Sequence, residues 1–458
     1  MPIEIGKISD SNIRIGILPK YANRHGLIAG ATGTGKTVTL MTLVESFAYD
    51  GVPVFISDVK GDISGLASNE ELTTTFWDIY GKKGTPVKVS LQNVGSMMLS
   101  KILNLTDTQS GAMTIAFKYA EDNGKNIIDF KDLRNILNEI IDKRGEVSVT
   151  YGLINTMTVG AIQRAMLVFT EESGDDFFGN PSFDIMQMIR TDANGYGLMN
   201  IMDATRLMLN PSLYGTFLMW MLTELFRLLP EMGDVTKPKF VFVFDEAHLL
   251  FRDASPMLLQ KIEQVVRLIR SKGVGVYFCS QSPTDIPEVV LGQLGNKIQH
   301  ALRAFTPNAQ KMVRSCADTF VPNPNFNTLS QLQALGTGEA LVSFLSAKGV
   351  PQPVQKVKVN LPKCKLGEIP DDVRERIIGS TTPVEVEPVR VPMAAPRGPV
   401  RASVLGSTML GKPKTYATVE TATEPAPQPR IPHVYKRSPL MQTLHDIFCT
   451  GLGNKSPL

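Results

Sequence analysis

With 458 residues, 43% of them hydrophobic, the chain can bury a sizeable core and fits a large soluble enzyme of one main domain with an insertion and a tail. Its formal net charge of +3 divides unevenly: residues 361–458 hold 13 Lys+Arg against 9 Asp+Glu, which leaves 34 against 35 for residues 1–360. That balance excludes a global basic field, so any nucleic-acid contact has to come from a local patch, such as a pore lining in an oligomer.

The opening "MPIEIGKISD" has no basic-then-apolar leader, so export is not expected and a cytoplasmic location is. Next comes "GLIAGATGTGKTVTL" (26–40), where Gly30, Gly35, Lys36 and Thr37 fit G-x-x-x-x-G-K-[ST]. A short apolar strand, Leu27 to Ala29, precedes the loop, and a helical pattern (Val38, Leu40, Met41, Leu43, Val44) follows it. Glycines let backbone N–H groups close around phosphates at a helix N-terminus, where the helix dipole also favours anions. The expected phosphate cradle is Gly30, Ala31, Thr32, Gly33, Thr34, Gly35, Lys36, Thr37 and Val38. Lys36 is expected to reach the β/γ-phosphates of ATP, and the Thr37 hydroxyl to ligate Mg²⁺.

Further along, apolar runs predict strands near 52–57, 197–202, 239–244, 274–279, 297–302 and 339–345, separated by helices. Residues 94–195 read as nearly all helical. There "GAMTIAFKYAEDNG", "FKDLRNILNEIIDKRG" and "VGAIQRAMLVFTEESG" are each expected to end at a glycine. The chain thus divides into an N-terminal core part (1–93), a helical insertion (94–195), a second core part (196–360) and a C-terminal extension (361–458). The most apolar segment, "YGTFLMWMLTELFRLL" (214–229), carries Thr223, Glu224 and Arg227 and is too short for a span, so it predicts a buried helix and no membrane.

The stretch "KPKFVFVFDEAHLLF" (237–251) runs five apolar residues into Asp245 and Glu246. Such a strand, covered on both faces, belongs to a parallel α/β sheet, which places ligands at its carboxyl end. The two acids either cap the next helix or, given the glycine loop, hold the Mg²⁺ shell (Asp245) and polarise the attacking water (Glu246). A kinase would have to exclude that water, so the second carboxylate favours hydrolysis. His248 reads as a packing or supporting group.

In "RLIRSKGVGVYFCSQSP" (267–283) a helix ends in Arg270, and a buried strand ends at Ser280 and Gln281. Gln281 either senses the γ-phosphate from the strand tip or simply terminates the strand. Arg303 interrupts the apolar run of "HALRAFTP" (300–307), where an arginine needs a partner or a ligand. The four cysteines (Cys279, Cys316, Cys364, Cys449) are far apart, fit a reducing compartment and make no metal site. Residues 381–440 hold 11 of the 30 prolines, a composition that does not fold alone, and the amphipathic Leu440, Met441, Leu444, Ile447 and Phe448 follow.

Taken in order, "HGLIAGATGTGKTVTL", "VFISDVKGDISG", "VGAIQRAML", "FVFVFDEAHLLF", "VVRLIRSKGVGVYFCSQSP", "LGQLGNKIQHALRAFTP" and "LGTGEALVSFL" resemble HerA-like ATPases of the HerA/FtsK superfamily, in its short YjgR-type branch. The resemblance implies a RecA-like P-loop NTPase core of the α/β/α class, Mg·ATP hydrolysis and a hexameric ring, with double-stranded DNA as the track of larger members. It also implies an arginine supplied by a neighbouring subunit, Arg270 before Arg303, although both arginines also suit structural ion pairs. The Ser-Ala-Thr and Gln-Arg-Gly-Arg motifs of DEAH-box helicases are absent. About 25 residues precede the loop strand, which leaves no room for the N-terminal barrel of HerA. "SQSP" stands where the family has "SQRP", and Ala309-Gln310 where it has Asp-Gln. A DNA-translocating ring motor is therefore one expectation. An ATPase switch or scaffold that remodels a protein partner is the other.

Overall fold

A computed structural model describes residues 2–380, apart from 10, 12, 172–176, 181–182, 252–255 and 304–305. The proline-rich stretch from 381 and the 440–448 segment lie outside the described residues. Twelve strands form one sheet: β1 (Ile3–Ile8), β2 (Arg14–Ile17), β3 (Gly26–Ala29), β4 (Val54–Asp58), β5 (Thr74–Asp78), β6 (Thr85–Pro86), β7 (Met199–Asp203), β8 (Phe240–Phe244), β9 (Val274–Ser280), β10 (Asn296–Gln299), β11 (Glu339–Ser343) and β12 (Gln355–Val359). Their order is β2-β1-β12-β11-β10-β3-β9-β8-β4-β7-β5-β6. From β10 to β6 every neighbouring pair is parallel, and β11, β12, β1 and β2 extend the sheet antiparallel. This is the expected α/β architecture.

A parallel strand buried on both faces needs apolar residues at every position, with alternate side chains entering opposite layers. β8 does this: Phe240, Phe242 and Phe244 enter one core, Val241 and Val243 the other, all with no exposed surface. The first core is walled by α2 (Leu91–Ile102), α3 (Asp107–Asp122), α4 (Phe130–Asp142), α5 (Arg144–Tyr151), α6 (Thr156–Glu171) and α7 (Pro211–Leu228), together with α8 (His248–Phe251), α9 (Pro256–Ile269) and α10 (Glu288–Leu291). The helices of the 94–195 segment thus share their core with the sheet. The opposite face is covered by α1 (Lys36–Tyr49). A third, smaller cluster lies under α11 (Pro307–Asp318) and α12 (Thr328–Ala334).

Two details differ from the sequence reading. Only α3 among the three quoted helices meets a terminating glycine in the described residues, Gly124 at φ 64°. α4 stops at Asp142 with Lys143 as its cap, and Gly145 sits inside α5, because the chain turns without needing a left-handed residue. Gly174 lies outside the described residues. The buried 214–229 helix is α7, and among the described residues no helix is long and apolar enough to cross a membrane.

The first part of the extension expected from 361 packs onto the sheet. α13 (Asp371–Ser380) places the Arg374 guanidinium 4.8 Å from the Phe76 ring, with Asp203 and Glu368 at 3.8 and 3.5 Å. On α1 the buried Glu45 carboxylate accepts from the backbone N–H of Lys363 (2.7 Å) and Cys364 (2.9 Å) and from Asn69 Nδ2 (2.7 Å). Truncation strands those donors at a cost of about 1–3 kcal/mol each. Glu45→Ala is therefore expected to lower stability by roughly 3 kcal/mol or more, while Glu71→Ala, at an exposed position, leaves stability close to that of the unsubstituted chain. Urea unfolding of both variants checks this.

Candidate functional site

The carboxyl ends of β3, β9, β8 and β4 meet at one edge of the sheet, and the loop of residues 30–35 joins β3 to α1 there. Backbone hydrogen bonds splice this loop to both neighbouring strands: Gly30 N–H donates to Ser280 O (3.3 Å) and Ala31 N–H to Ala301 O (2.9 Å). Gly30 has φ 156°, and a Cβ there would stand 2.5 Å from His300 Cβ. Gly35, the N-cap of α1, has φ 109°, and a Cβ would stand 3.1 Å from the backbone nitrogen of Gly338. Both positions need glycine for conformation and for space. Thr32 and Gly33 are exposed at the loop tip, Thr34 is buried and donates to Ala31 O (2.7 Å), and Val38 lies half-buried in the first turn of α1.

Lys36 folds over the loop, its ammonium donating to Gly30 O (2.6 Å) and Ala31 O (3.1 Å). One residue on, Thr37 Oγ1 stands 3.5 Å from Asp62 Oδ2. β9 separates β3 from β8, so Asp245 and Glu246 at the end of β8 lie two strands from the loop. Both are buried, and Glu246 adopts a left-handed backbone at φ 47°. Such a conformation in a non-glycine residue marks a position held by its surroundings. Gln281 is exposed one residue beyond β9 and lines an open cleft of about 460 Å³ with His248, Phe251, Thr284, Asp285 and Pro287.

Sequence reasoning passed over several groups that complete this edge. Asp58, at the tip of β4, accepts from Gly61 N–H (2.6 Å) and Ser64 N–H (3.1 Å). Burial, with Asp62, Asp245 and Asp203 nearby, raises its pKa to about 7 despite the Gly61 bond. Asp245 is raised to about 6 by burial and by Glu246, against the opposing charge of Lys60. Lys60, in the loop after β4, forms an ion pair with Glu246 Oε1. Burial alone would raise Glu246, but Lys60, His248 and Lys36 outweigh it and its pKa is lowered. Its other oxygen, Oε2, lies 3.2 Å from His248 Nδ1 in a direction that makes no hydrogen bond, leaving both atoms unpartnered. Beneath the loop, His300 bridges Thr39 Oγ1 (Nε2, 2.8 Å) and Glu339 O (Nδ1, 2.9 Å). Burial lowers its pKa to about 4, so it is neutral at pH 7. With Glu339 O as acceptor, Nδ1 carries the proton and Nε2 accepts from Thr39. The polar strand-end signal that pointed to Asp245 also exists at Asp58 and His300. Lys60 has no comparable signal.

Neither arginine is seen to contact the loop or the two acids among the described residues. Arg270 sits before β9, at the opposite edge of the sheet and about 20 Å from the loop along a seven-residue strand. Its surroundings include Arg24 and Asp234, and its carbonyl accepts from Asn23. Arg303 is exposed and donates to Gln333 O (3.0 Å) and Leu335 O (3.3 Å) at the carboxyl end of α12. That satisfies the partner requirement with helix-end carbonyls rather than an acid.

Among curated relatives, the DNA double-strand break repair helicase HerA of Sulfolobus acidocaldarius is 22% identical over 360 residues, covering 74% of this chain and 66% of its own length. HerA of Sulfurisphaera tokodaii is 25% identical over 356 residues, with the same shares. The chain therefore spans just under two thirds of the length of these relatives. Of solved structures, the plasmid coupling protein TrwB in complex with ADP and Mg²⁺ superimposes with a TM-score of 0.53 at 16% identity, over 79% of this chain and 90% of TrwB. VirB4 of Thermoanaerobacter pseudethanolicus gives 0.54 at 18% identity, over 78% and 96%. The fold is thus that of the RecA-like P-loop ATPases. A model of the family described as helicase HerA-like, C-terminal, matches residues 5–387, and the chain belongs to that family.

Proposed function

We propose that this chain is a Mg²⁺-dependent ATP hydrolase that works as a homo-hexameric ring on double-stranded DNA. The observation that carries the hydrolase reading is the convergence of the Gly30–Gly35 loop, Lys36 and the Asp245–Glu246 pair on one strand-end edge. The residues fit a nucleotide: Lys36 is a cation at a helix N-terminus whose hydrogen-bond partners among the described residues are the loop's own carbonyl oxygens. They also fit Mg²⁺, which prefers hard oxygen ligands and binds through one or two protein groups plus phosphates. Thr37 and Asp245 supply such oxygens, and among the described residues no acidic or histidine cluster forms a ready metal cage. Bound there, Mg²⁺ would neutralise charge developing on the phosphates.

In this reading the 30–38 segment holds the phosphates, Lys36 contacts the β/γ oxygens, and Gln281 faces the γ position from the tip of β9. Glu246 takes a proton from the attacking water as the water oxygen bonds to γ-phosphorus and the bond to the bridging oxygen breaks, giving ADP and phosphate. A neighbouring subunit supplies a further arginine, Arg270 or Arg303. DNA as the track draws on the printed names of the relatives, "DNA double-strand break repair helicase" and "DNA import protein". The near-neutral balance of residues 1–360 favours a second reading, an ATPase that remodels a protein partner in the cytoplasm without threading DNA.

Lys36→Ala is expected to lose nucleotide binding and turnover, whereas Glu246→Gln binds ATP and leaves it uncleaved; calorimetric titration alongside phosphate release checks both. Wild-type turnover in either variant rejects the corresponding role. Because a metal ligand must be ionised and Asp245 titrates near 6, the Mg²⁺ concentration that half-saturates binding should rise about tenfold from pH 7.5 to pH 5. Duplex DNA should stimulate hydrolysis, with an effect that weakens steeply as salt is raised. Unchanged hydrolysis on adding any nucleic acid supports the protein-remodelling reading instead.

A further inference from the structure

Lys60 stands out among the charged groups of this edge because it pairs with the one carboxylate that hydrolysis would need free. The Lys60 side chain is 52% exposed on its four-carbon stem, while that of Glu246 is 6% exposed. The loop that carries Lys60 also carries Asp62, whose carboxylate lies 3.5 Å from Thr37 Oγ1 on the first turn of α1. Lys60 is thus tethered beside the helix N-terminus toward which phosphates are drawn, in the loop that follows β4, the strand paired with β8, beyond whose end Glu246 lies. Burial opposes its charge, but the Glu246 pair and the nearby Asp245 and Asp62 keep it protonated.

We propose that Lys60 is a second phosphate-binding cation of this site, held on Glu246 until a γ-phosphate is present. The inference rests on the nucleotide site proposed above. A carboxylate bonded to an ammonium is a weak proton acceptor, because the pairing stabilises its ionised form. A terminal phosphate carries more negative charge than one carboxylate and offers three acceptor oxygens, so it competes for the ammonium of this half-exposed side chain. Transfer of Lys60 to that phosphate leaves Glu246 Oε1 open to water, next to Oε2, which already lacks a hydrogen-bond partner. A diphosphate has no γ group to draw the lysine away, so Glu246 stays neutralised. Lys60 therefore ties the availability of the base to the presence of a cleavable bond.

The test compares the affinities of ADP and the non-hydrolysable analogue ADPNP, measured by calorimetry on the full chain. Lys60→Met should weaken ADPNP about tenfold and change ADP less than twofold; Lys60→Arg should recover part of the loss. Glu246→Gln should tighten ADPNP several-fold with ADP unchanged, because the lysine no longer leaves a charged partner. If Lys60→Met does not fold, Lys60→Met/Glu246→Gln, which buries no unpaired charge, replaces it and should bind ADPNP about tenfold more weakly than Glu246→Gln alone. Equal changes for ADP and ADPNP, or none, would overturn the proposal and leave Lys60 as a structural partner of Glu246. Failure of the wild-type chain to bind either nucleotide would overturn the nucleotide site itself, and this proposal with it.

Discussion

The arrangement depends on two backbone hydrogen bonds, from Gly30 N–H to Ser280 O and from Ala31 N–H to Ala301 O. They fix the loop after β3 to the ends of β9 and β10 at the point where the chain leaves the sheet. With β9 inserted between β3 and β8, the loop and the two acids are held two strands apart, roughly 10 Å at ordinary strand spacing. A nucleotide's phosphates and a hydrated cation fill a gap of that order. If β8 lay directly beside β3, the acids would sit against the loop itself. The same insertion brings Gln281 between them.

Electrostatics then follows from burial. The edge brings together the carboxylates of Asp58, Asp62, Asp203, Asp245 and Glu246, with Lys36 and Lys60 as nearby cations. Asp58 and Asp245 respond with raised pKa values, while Glu246, bonded to Lys60, moves the other way. Folding thus retains protons on Asp58 and Asp245 that the unfolded chain has released by about pH 4. Their contribution to stability is complete at low pH and lost as pH rises through 6 to 7. An edge poised in this way would be stabilised by a divalent cation, since a cation favours the ionised acids that burial disfavours.

The parts of the fold that were legible in the sequence are those where one physical demand dominates. The interior strands β4, β7, β8 and β9 are buried at every position and apolar over most of their length, because both faces are covered, and each lies within about two residues of the run that predicts it. The missed strands obey mixed demands. β1 and β2 carry Gly6 and Gly16 where a Cβ would meet a carbonyl oxygen at 2.3 and 2.2 Å, and the pairing is broken by a bulge, so their alternation is faint. β12 alternates lysine with valine between proline-containing turns. At the site, the glycine loop and the terminal acids were legible because their spacing along the chain is itself the chemistry. Lys60 and His300 act on groups 186 and 261 residues away, Glu246 and Thr39, and no local pattern announces such a contact.

His300 shows why the far end of the chain belongs to the site. Its ring joins Thr39, on the helix that begins at Lys36, to the backbone of Glu339, while Gly338 N–H donates to Thr34 O in the loop (3.1 Å). The turn before β11 therefore grips the 30–35 loop and the helix that follows it at two points, through Thr34 and Thr39, which are both buried. Three residues beyond His300, Arg303 grips the end of α12, which leads back into that same turn. The circuit closes on itself: loop, His300, Arg303, α12 and the 336–339 turn. A change in loop geometry is resisted at Gly338 and at Glu339, so it has to move the turn or break a buried hydrogen bond at about 1–3 kcal/mol. The loop is thereby held in one shape, and a ligand that used that shape would spend little of its binding energy on ordering it.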